Sequence, residues 1–508
     1  MHTLSNRTRK VPLTVGLFIL IAIVIGSTIF YWWQSSSDHP DTQQVSIQRM
    51  AVLPFTNIRN DAQTDFLGFA LADQIIGSLS YLKNILVRPS TSIRQYQNQT
   101  LDLQTAGTDL NVDIILTGNY LKEANTIRLN IELVDVDANE MIWREPIEIE
   151  YENTFAFQDI VSKKVIDRLK LQSSQDDHTS IRSEVPQNPL AYEYYLRSIS
   201  YPSTIEGDLL AIQMLNNSIQ LDSKYAPSFS ELGYRRQHYG NFALVGAHEI
   251  SKAEQAYQHA LSLNDELLSA LWHLSGLYTE TARSEKAVEL ARRMLTINPN
   301  DAMAHYSLGY VYRYTGMLEE SEKEFDRALE IDPGNPRFKS AGMTYICLGK
   351  YEKAVQAFNL DKENLVSLNQ KARIFYRQEE KHKAIESLDS VLTQERIGVG
   401  TGSFFASAMK AIIEGETETA RTAMTEMELA NPIDAEIWFN IAEMYGILGD
   451  QSSSARALEE GINRGYYNYP FMVSNSFFDS VRSAPEFQQV LELARVRHNT
   501  FREQFFSE

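Results

Sequence analysis

The sequence predicts a multidomain protein made of one transmembrane helix, a small α/β domain and an all-α superhelical solenoid. Three observations support this fold class. They are an uncharged apolar run at residues 15–33, alternating strand and helix patterns between residues 47 and 170, and a 34-residue period that starts at Leu268. A chain of 508 residues exceeds what one hydrophobic core usually organises, so several folded regions are expected.

The apolar run at residues 15–33 is VGLFILIAIVIGSTIFYWW, which contains no charged side chain. As a helix it reaches about 28 Å, close to the hydrocarbon thickness of a bilayer. Three basic residues precede the run and none follows it until Arg49, so residues 1–14 are expected in the cytoplasm. A cleaved signal peptide is the alternative, but no small-x-small cleavage site follows the run. We therefore expect a single-pass inner-membrane protein whose bulk is periplasmic.

The charge of the chain argues against a nucleic-acid partner. The formal net charge is −19, and residues 1–33 carry +3 with no carboxylate, so the part beyond the membrane carries −22. Non-specific affinity for nucleic acid comes largely from Lys and Arg side chains that neutralise phosphates. An acidic exterior repels phosphate backbones, and solubility explains the acidity better than recruitment of basic partners does.

The α/β domain is predicted from the patterns that follow a polar linker at residues 34–46. A buried strand at residues 50–55 precedes an amphipathic helix at residues 65–83 with Asp65 as its N-cap. Further strands are expected at residues 85–88 and 112–120, and period-two alternation predicts an antiparallel pair at residues 127–136 and 140–151.

The order of five sequence blocks carries a family resemblance across residues 47–170. The blocks are AVLPFTNI, FALADQIIGSLS, TDLNVDIILTGNY, IRLNIELVDVDANEMIW and FAFQDIVSKKVIDRL. Together they resemble the TolB N-terminal-like domain, which precedes tetratricopeptide repeats in CadC-type, adenylate cyclase or kinase-linked bacterial signalling proteins. The resemblance implies a mixed sheet with helices and carries over no catalytic residue. Only about ten residues precede the membrane run, so we expect the extracytoplasmic half of such a regulator without an output domain.

The solenoid is predicted from the 34-residue period. Leu274, Tyr278 and Ala287 recur 34 residues later as Leu308, Tyr312 and Ser321, and a proline closes each unit. This pattern resembles the tetratricopeptide repeat (TPR), a helix-turn-helix unit that stacks into a superhelix. After a linker at residues 171–187, similar spacing predicts about eight helix pairs over residues 188–465. Residues 466–508 are expected to form C-terminal capping helices.

The candidate partner-binding groove follows from the repeat geometry. In such solenoids the first helix of each unit faces the concave surface at unit positions 2, 5, 9 and 12. Aromatic residues and Arg are enriched among binding hot spots. Packing between repeats is the alternative for the aromatic side chains, whereas Arg313 is expected to be exposed. The candidate groove residues are Trp272, Tyr306, Tyr310, Arg313 and Phe439.

The remaining signals give no support for catalysis. The GVGTG stretch at residues 398–402 lacks the lysine of a phosphate loop, and Ser407 with Lys410 lacks the companion triplets of a penicillin-recognising site. The ten histidines show no metal-binding pattern. We expect no enzyme activity, no catalytic residue, no metal and no cofactor.

The sequence therefore predicts a membrane-anchored TPR protein that acts as a scaffold or adaptor for unidentified proteins at the bacterial cell envelope. The alternative is an extracytoplasmic sensor subunit of a transmembrane signalling system. In that case the close spacing of Ala22 and Gly26 would allow the membrane helices to pack as a homodimer.

Overall fold

The computed structural model describes residues 48–506, apart from short gaps at residues 60, 62–63, 83–84, 98, 100–101, 151–153, 170–185, 243–245 and 395–400. The predicted membrane helix at residues 15–33 and the linker that follows it lie outside the described residues. No helix within the described ranges is long and apolar enough to cross a membrane.

A mixed sheet forms the first part of the described chain. Its strands run in the order β3-β1-β4-β5-β6, and the short β2 pairs with β4 beside this path. The strands are β1 (Gln48–Val52), β2 (Thr56–Asn57), β3 (Ile85–Val87), β4 (Ile114–Glu123), β5 (Thr126–Asp135) and β6 (Glu140–Glu150).

Parallel and antiparallel pairing divide the sheet into two halves. β1 lies between β3 and β4 and is parallel to both, while β5 pairs antiparallel with β4 and with β6. Met50, Ala51 and Val52 are fully buried, as expected for a central strand covered on both faces. The predicted antiparallel pair is confirmed as β5 and β6. Residues 56–57 form the short strand β2, which the sequence patterns did not predict.

Four helices accompany the sheet. They are α1 (Phe66–Leu79), α2 (Ser90–Ile93), α3 (Leu103–Leu110) and α4 (Thr154–Leu169). Helix α1 approaches the chain after β1 so closely that a Cβ atom on Gly68 would lie 2.1 Å from the carbonyl oxygen of Phe55. This position therefore requires glycine.

Paired helices form the second part of the chain. They are α5 (Pro189–Ser200), α6 (Ile205–Leu221), α7 (Ala226–Phe242), α8 (Ala247–Leu263), α9 (Leu268–Glu280), α10 (Ser284–Ile297), α11 (Ala302–Thr315), α12 (Leu318–Ile331), α13 (Ala341–Cys347), α14 (Tyr351–Phe358), α15 (Leu365–Arg377), α16 (Lys381–Gln394), α17 (Thr401–Glu414), α18 (Thr417–Leu429), α19 (Ala435–Ile447) and α20 (Gln451–Asn463). The prediction of a small sheet region followed by an all-helical solenoid is confirmed.

Small residues let the two helices of a pair approach each other. A Cβ atom on Gly309 of α11 would lie 2.9 Å from the ring of Phe325 on α12, and Gly342 of α13 meets the ring of Phe358 on α14 in the same way. On the facing helix of the first of these pairs, the hydroxyl of Ser321 donates a hydrogen bond of 2.7 Å to the carbonyl of Gly309. The glycine and serine positions therefore set the distance between paired helices.

The C-terminal segment turns back onto the middle of the solenoid. It contains α21 (Tyr469–Ser474) and α22 (Pro485–Phe506). The backbone N–H of Tyr467 donates to the carbonyl of Tyr314 at 2.8 Å, and His498 of α22 lies 2.8 Å from the carbonyl of Thr315. This segment thus covers the end of α11 as well as the last helix pair.

Candidate functional site

The inner face of the solenoid is where the sequence placed the partner-binding groove. The structure puts Trp272 on α9, Tyr306, Tyr310 and Arg313 on α11, and Phe439 on α19. It brings Arg313 into contact with Glu436 of α19, more than a hundred residues further along the chain. The inner faces of the fourth and eighth helix pairs therefore touch.

Arg313 was expected to be exposed, and that prediction is wrong. Its side chain is 1% exposed. The guanidinium pairs with Glu436 of α19 at 2.9 Å and donates to the carbonyl of Ser340 at 2.7 Å. The physical reason is that α19 packs across the inner end of α11, so the arginine faces a carboxylate of the same chain instead of solvent.

The other predicted groove residues divide between buried and half-buried positions. Phe439 is 1% exposed and packs on the rings of Tyr466 and Phe471 at centroid distances of 4.8 and 5.7 Å. The half-buried Tyr310 donates a hydrogen bond of 3.1 Å to Glu280. Tyr306 stacks on Phe338, with ring centroids 5.5 Å apart. These side chains pack within the solenoid, so in this conformation Phe439 and Arg313 cannot reach a partner.

Burial changes the protonation of the carboxyl groups at this contact. Burial, together with the negative charge of nearby Asp434, raises the pKa of Glu280 to about 8. Burial also raises the pKa of Glu436 to about 7, although the Arg313 guanidinium opposes this shift. Asp434 accepts a hydrogen bond of 2.6 Å from the hydroxyl of Tyr314. The inner face is therefore held together by a buried network of carboxyl, phenol and guanidinium groups.

The sheet and the solenoid belong to one compact unit that begins at residue 48, and they meet at several places. At the first, Tyr192, Leu196 and Leu215 of the first helix pair share a hydrophobic core with the sheet. At the second, the fully buried Arg88 follows β3 and ion-pairs with Asp332, just after α12, at 3.7 Å.

The guanidinium of Arg88 has further partners on both sides of this second contact. It donates to the carbonyls of Leu110 and Asn111 at 2.6 Å each, and to that of Ile331. Burial raises the pKa of Asp332 to about 6, while the positive charge of Arg88 opposes the shift. This buried ion pair and the hydrogen bonds of its guanidinium join the sheet region to the solenoid.

A cavity of about 490 Å³ lies between these two contacts. One wall comes from α1, β3 and α2, and the other from the first four helix pairs and the segment around Arg337. A volume of this size is typical of small-molecule sites, which also tend to lie between domains. Of the predicted groove residues, only Trp272 lines the cavity within the described part of the chain.

Aromatic rings form one wall of the cavity. The imidazole of His273 lies 4.0 Å from the ring of Trp272 and stacks on Tyr234 at 4.9 Å. Burial lowers the pKa of His273 well below its usual value, so the ring is neutral. The Arg337 guanidinium lies over the Trp272 ring, 4.8 Å from its centroid. The wall thus combines flat apolar surface with a fixed positive charge.

Sequence reasoning did not identify this cavity. Its walls come from residues 69–94 and residues 195–337, which approach each other only when the solenoid curves around the sheet. Arg94 and Arg337 lie in short helical segments outside the periodic positions that the repeat pattern interprets. No local signal relates them. The described residues also hold no group of three or more His, Cys, Asp or Glu side chains that could bind a metal ion.

Two family comparisons match separate parts of the chain. Residues 46–164 match the second domain of HilA/YgeH-like transcriptional regulators. Residues 302–335, which contain α11, α12 and the start of the loop after them, match the tetratricopeptide repeat. The expected TolB N-terminal-like domain is not confirmed, because the HilA/YgeH-like description matches that region instead.

Similar proteins share parts of this chain. "Putative adenylate cyclase 3" of Rhizobium meliloti (strain 1021) is 26% identical over 197 residues, which cover 38% of this chain and 33% of that protein. Anaphase-promoting complex subunit 3 of Schizosaccharomyces pombe is 26% identical over 147 residues, or 28% of this chain and 21% of that protein. The matched segments therefore span a third or less of these two relatives.

Among solved structures, yeast Tom70 is 16% identical with a TM-score of 0.34, covering 62% of this chain and 66% of that one. A tetratricopeptide repeat protein from Parabacteroides merdae is 15% identical with a TM-score of 0.29, covering 60% of this chain and 98% of that one. The repeat match at residues 302–335 and the paired helices on either side of it indicate a TPR-like solenoid.

Proposed function

We propose that this TPR protein is a scaffold or adaptor, anchored in the inner membrane by residues 15–33, that assembles other proteins at the bacterial cell envelope. The observation that carries the proposal is the repeat unit at residues 302–335, set within the solenoid of paired helices. The uncharged run and the basic residues before it support the anchor and its orientation. An anchor raises the local concentration of whatever binds the solenoid. The proposed role is binding, without enzyme activity.

The partner surface must lie outside the filled part of the inner face. Ile205 and Leu209 are one helical turn apart on α6 and are 46% and 48% exposed. Large exposed apolar side chains that share a helix face are frequent at protein interaction sites. This α6 face is therefore the place to test partner binding without disturbing the core.

In-cell crosslinking of the membrane-bound protein, followed by affinity purification and mass spectrometry, tests the scaffold role. The wild type is compared with Ile205→Glu/Leu209→Glu and with a control, Leu429→Glu, whose side chain is 72% exposed on α18. We expect a defined partner that is lost in the α6 variant and kept in the control. A partner set that is identical in all three proteins would refute the α6 face, and recovery of self-crosslinks alone would refute the scaffold role.

The anchor has its own test. A reporter fused after Glu508 is expected to be active only outside the cytoplasm. Activity only in the cytoplasm would refute the proposed topology, whatever the result of partner capture.

A sensor subunit of a transmembrane signalling system is the second candidate. The match to a transcriptional-regulator domain at residues 46–164, and the similarity to a Rhizobium protein named as an adenylate cyclase, favour it. In this role, binding outside the membrane changes self-association of the helices at residues 15–33. Replacing Ala22 and Gly26 by leucine should weaken that association, and unchanged self-association would count against this candidate.

A further inference from the structure

Charged side chains line the cavity between the sheet and the solenoid, and only some of them form an ion pair. Four carboxylates line it. Two of them are held by arginine: Glu231 accepts from Arg235 at 2.7 Å, and Asp332 pairs with Arg88 at 3.7 Å. These two negative charges are therefore neutralised by the protein itself.

The other two carboxylates are also occupied. Asp301 caps the N-terminus of α11 and accepts from the backbone N–H of Ala304 at 2.9 Å. Asp73 accepts from the hydroxyl of Ser90, and burial raises its pKa to about 6. A carboxyl group that is buried and hydrogen-bonded, or one that caps a helix, attracts a cationic ligand only weakly.

Two of the three guanidinium groups in the cavity, those of Arg94 and Arg337, form no ion pair with a described carboxylate, although the negative charge of Asp73 acts on Arg94. Arg94 donates to the carbonyl of Ile199 at 2.8 Å and lies 4.2 Å from the ring centroid of Phe69. Arg337 lies over the faces of Trp272 and Tyr234, at 4.8 and 5.7 Å. The aromatic rings orient both groups while leaving N–H donors unused. The N–H donors that are free to bind an anion in the cavity therefore belong to Arg94 and Arg337.

We propose that this cavity binds a small aromatic carboxylate, whose negative charge is neutralised by Arg94 and Arg337 and whose ring packs among the aromatic side chains of the wall. A planar guanidinium donates two parallel hydrogen bonds to a carboxylate, which a neutral analogue cannot replace in strength. The apolar lining of the same cavity, which includes Ile76, Leu268 and Met303, removes a flat ring from water.

Such a ligand contacts both walls of the cavity, so it stabilises the junction of the sheet with the solenoid. It binds the assembled arrangement only, and binding to one state shifts the unfolding equilibrium towards that state. The inference is independent of the identity of any protein partner, because the cavity and the α6 face share no residue.

Isothermal titration calorimetry of the full-length protein at pH 7.5 tests the charge of the ligand. Three probes carry the same ring: indole-3-acetate is an anion, indole-3-acetamide is neutral and tryptamine is a cation. We expect indole-3-acetate to bind at least about tenfold more tightly than the amide, and tryptamine to bind most weakly. Benzoate and phenylacetate extend the series to smaller rings.

Variants locate the site. Arg337→Met and Arg94→Met keep the apolar stem of the side chain and remove the charge. Each is expected to lower affinity for indole-3-acetate by about tenfold or more, while affinity for the amide changes little. Arg456→Met is the matched control, because Arg456 lies on α20 outside the cavity and pairs with Glu428 at 2.9 Å. Circular dichroism before each titration identifies any variant that does not fold.

Each outcome decides the proposal. Charge-selective binding that is lost in both cavity variants and kept in the control supports it. Equal affinity for the acetate and the amide, or tighter binding of tryptamine, refutes it. So does the failure of every aromatic carboxylate to bind the folded wild type at about 10 mM, since such weak binding would leave the two guanidinium groups without a ligand role.

Discussion

Replacing Arg313 by methionine should destabilise the solenoid far more than an ordinary surface substitution. The guanidinium is 1% exposed and joins α11 to α19 through Glu436 at 2.9 Å, while also donating to the carbonyl and hydroxyl of Ser340 at 2.7 and 3.0 Å. Methionine fills much of the same volume but leaves a buried carboxylate without its counter-charge. The loss is therefore mainly electrostatic.

The expected magnitude follows from this burial. Removing one partner of a buried ion pair costs about 3–5 kcal/mol, because the remaining charge is neither paired nor solvated. The pKa of Glu436 is about 7 even with Arg313 present, so at low pH this carboxyl is protonated and no longer carries an unpaired charge. The loss should be largest at pH 8 and clearly smaller at pH 5.5. Replacing both residues, as Arg313→Met/Glu436→Leu, should recover more than half of the loss.

Urea unfolding followed by circular dichroism measures these differences, with all variants compared at pH 5.5 and 8. Arg456→Met is the control, because Arg456 is 54% exposed and its pair with Glu428 should contribute less than about 1 kcal/mol. A loss in Arg313→Met that equals the control, or a double variant whose loss is the sum of the two single losses, would refute the reasoning. Either result would mean that the ion pair between α11 and α19 does not stabilise the folded solenoid.

The remaining predictions concern packing and pH. Gly309→Ala should lower stability by about 1–2 kcal/mol, because its Cβ meets the Phe325 ring at 2.9 Å. Gly276→Ala should instead raise stability by about 0.5–1 kcal/mol, because its Cβ has no neighbour within 4 Å. Urea unfolding midpoints that shift equally in the two variants would contradict this. Folded Glu280, with its pKa raised from 4.5 to about 8, keeps a proton that the unfolded chain has lost, so stability should fall as pH rises from about 4.5 to 8. Glu280→Gln should flatten that fall, and a wild-type slope in the variant would show that another group causes it.

Local patterns accounted for most of the secondary structure. The antiparallel pair β5–β6 followed from period-two alternation, because alternation reports one buried and one solvated face along a single strand. The repeat at residues 302–335 followed from a 34-residue spacing that every unit must satisfy to pack on its neighbours. By contrast, β2 is only two residues long and pairs with Asn119 and Tyr120, so no periodic pattern could reveal it.

The candidate sites followed less well from the sequence. Trp272 does line a cavity, but next to the sheet, which the repeat geometry alone does not place. Arg313 and Phe439 occupy helix positions that face inward, yet the partner they meet is the same chain. Repeat position gives the direction of a side chain from its own helix. It gives no information on whether a distant helix occupies the space in front of it.

The sequence by itself determined that this protein joins a small sheet region to an all-helical TPR solenoid, since helix and strand periods and repeat spacing act over a few tens of residues. Only the tertiary structure decided that the solenoid closes on its own inner face and wraps the sheet. Those contacts join Arg88 to Asp332 and Arg313 to Glu436, pairs separated by more than a hundred residues. A buried charge of this kind is stable only when its partner is buried beside it, so the pairing depends on the curvature of the whole array.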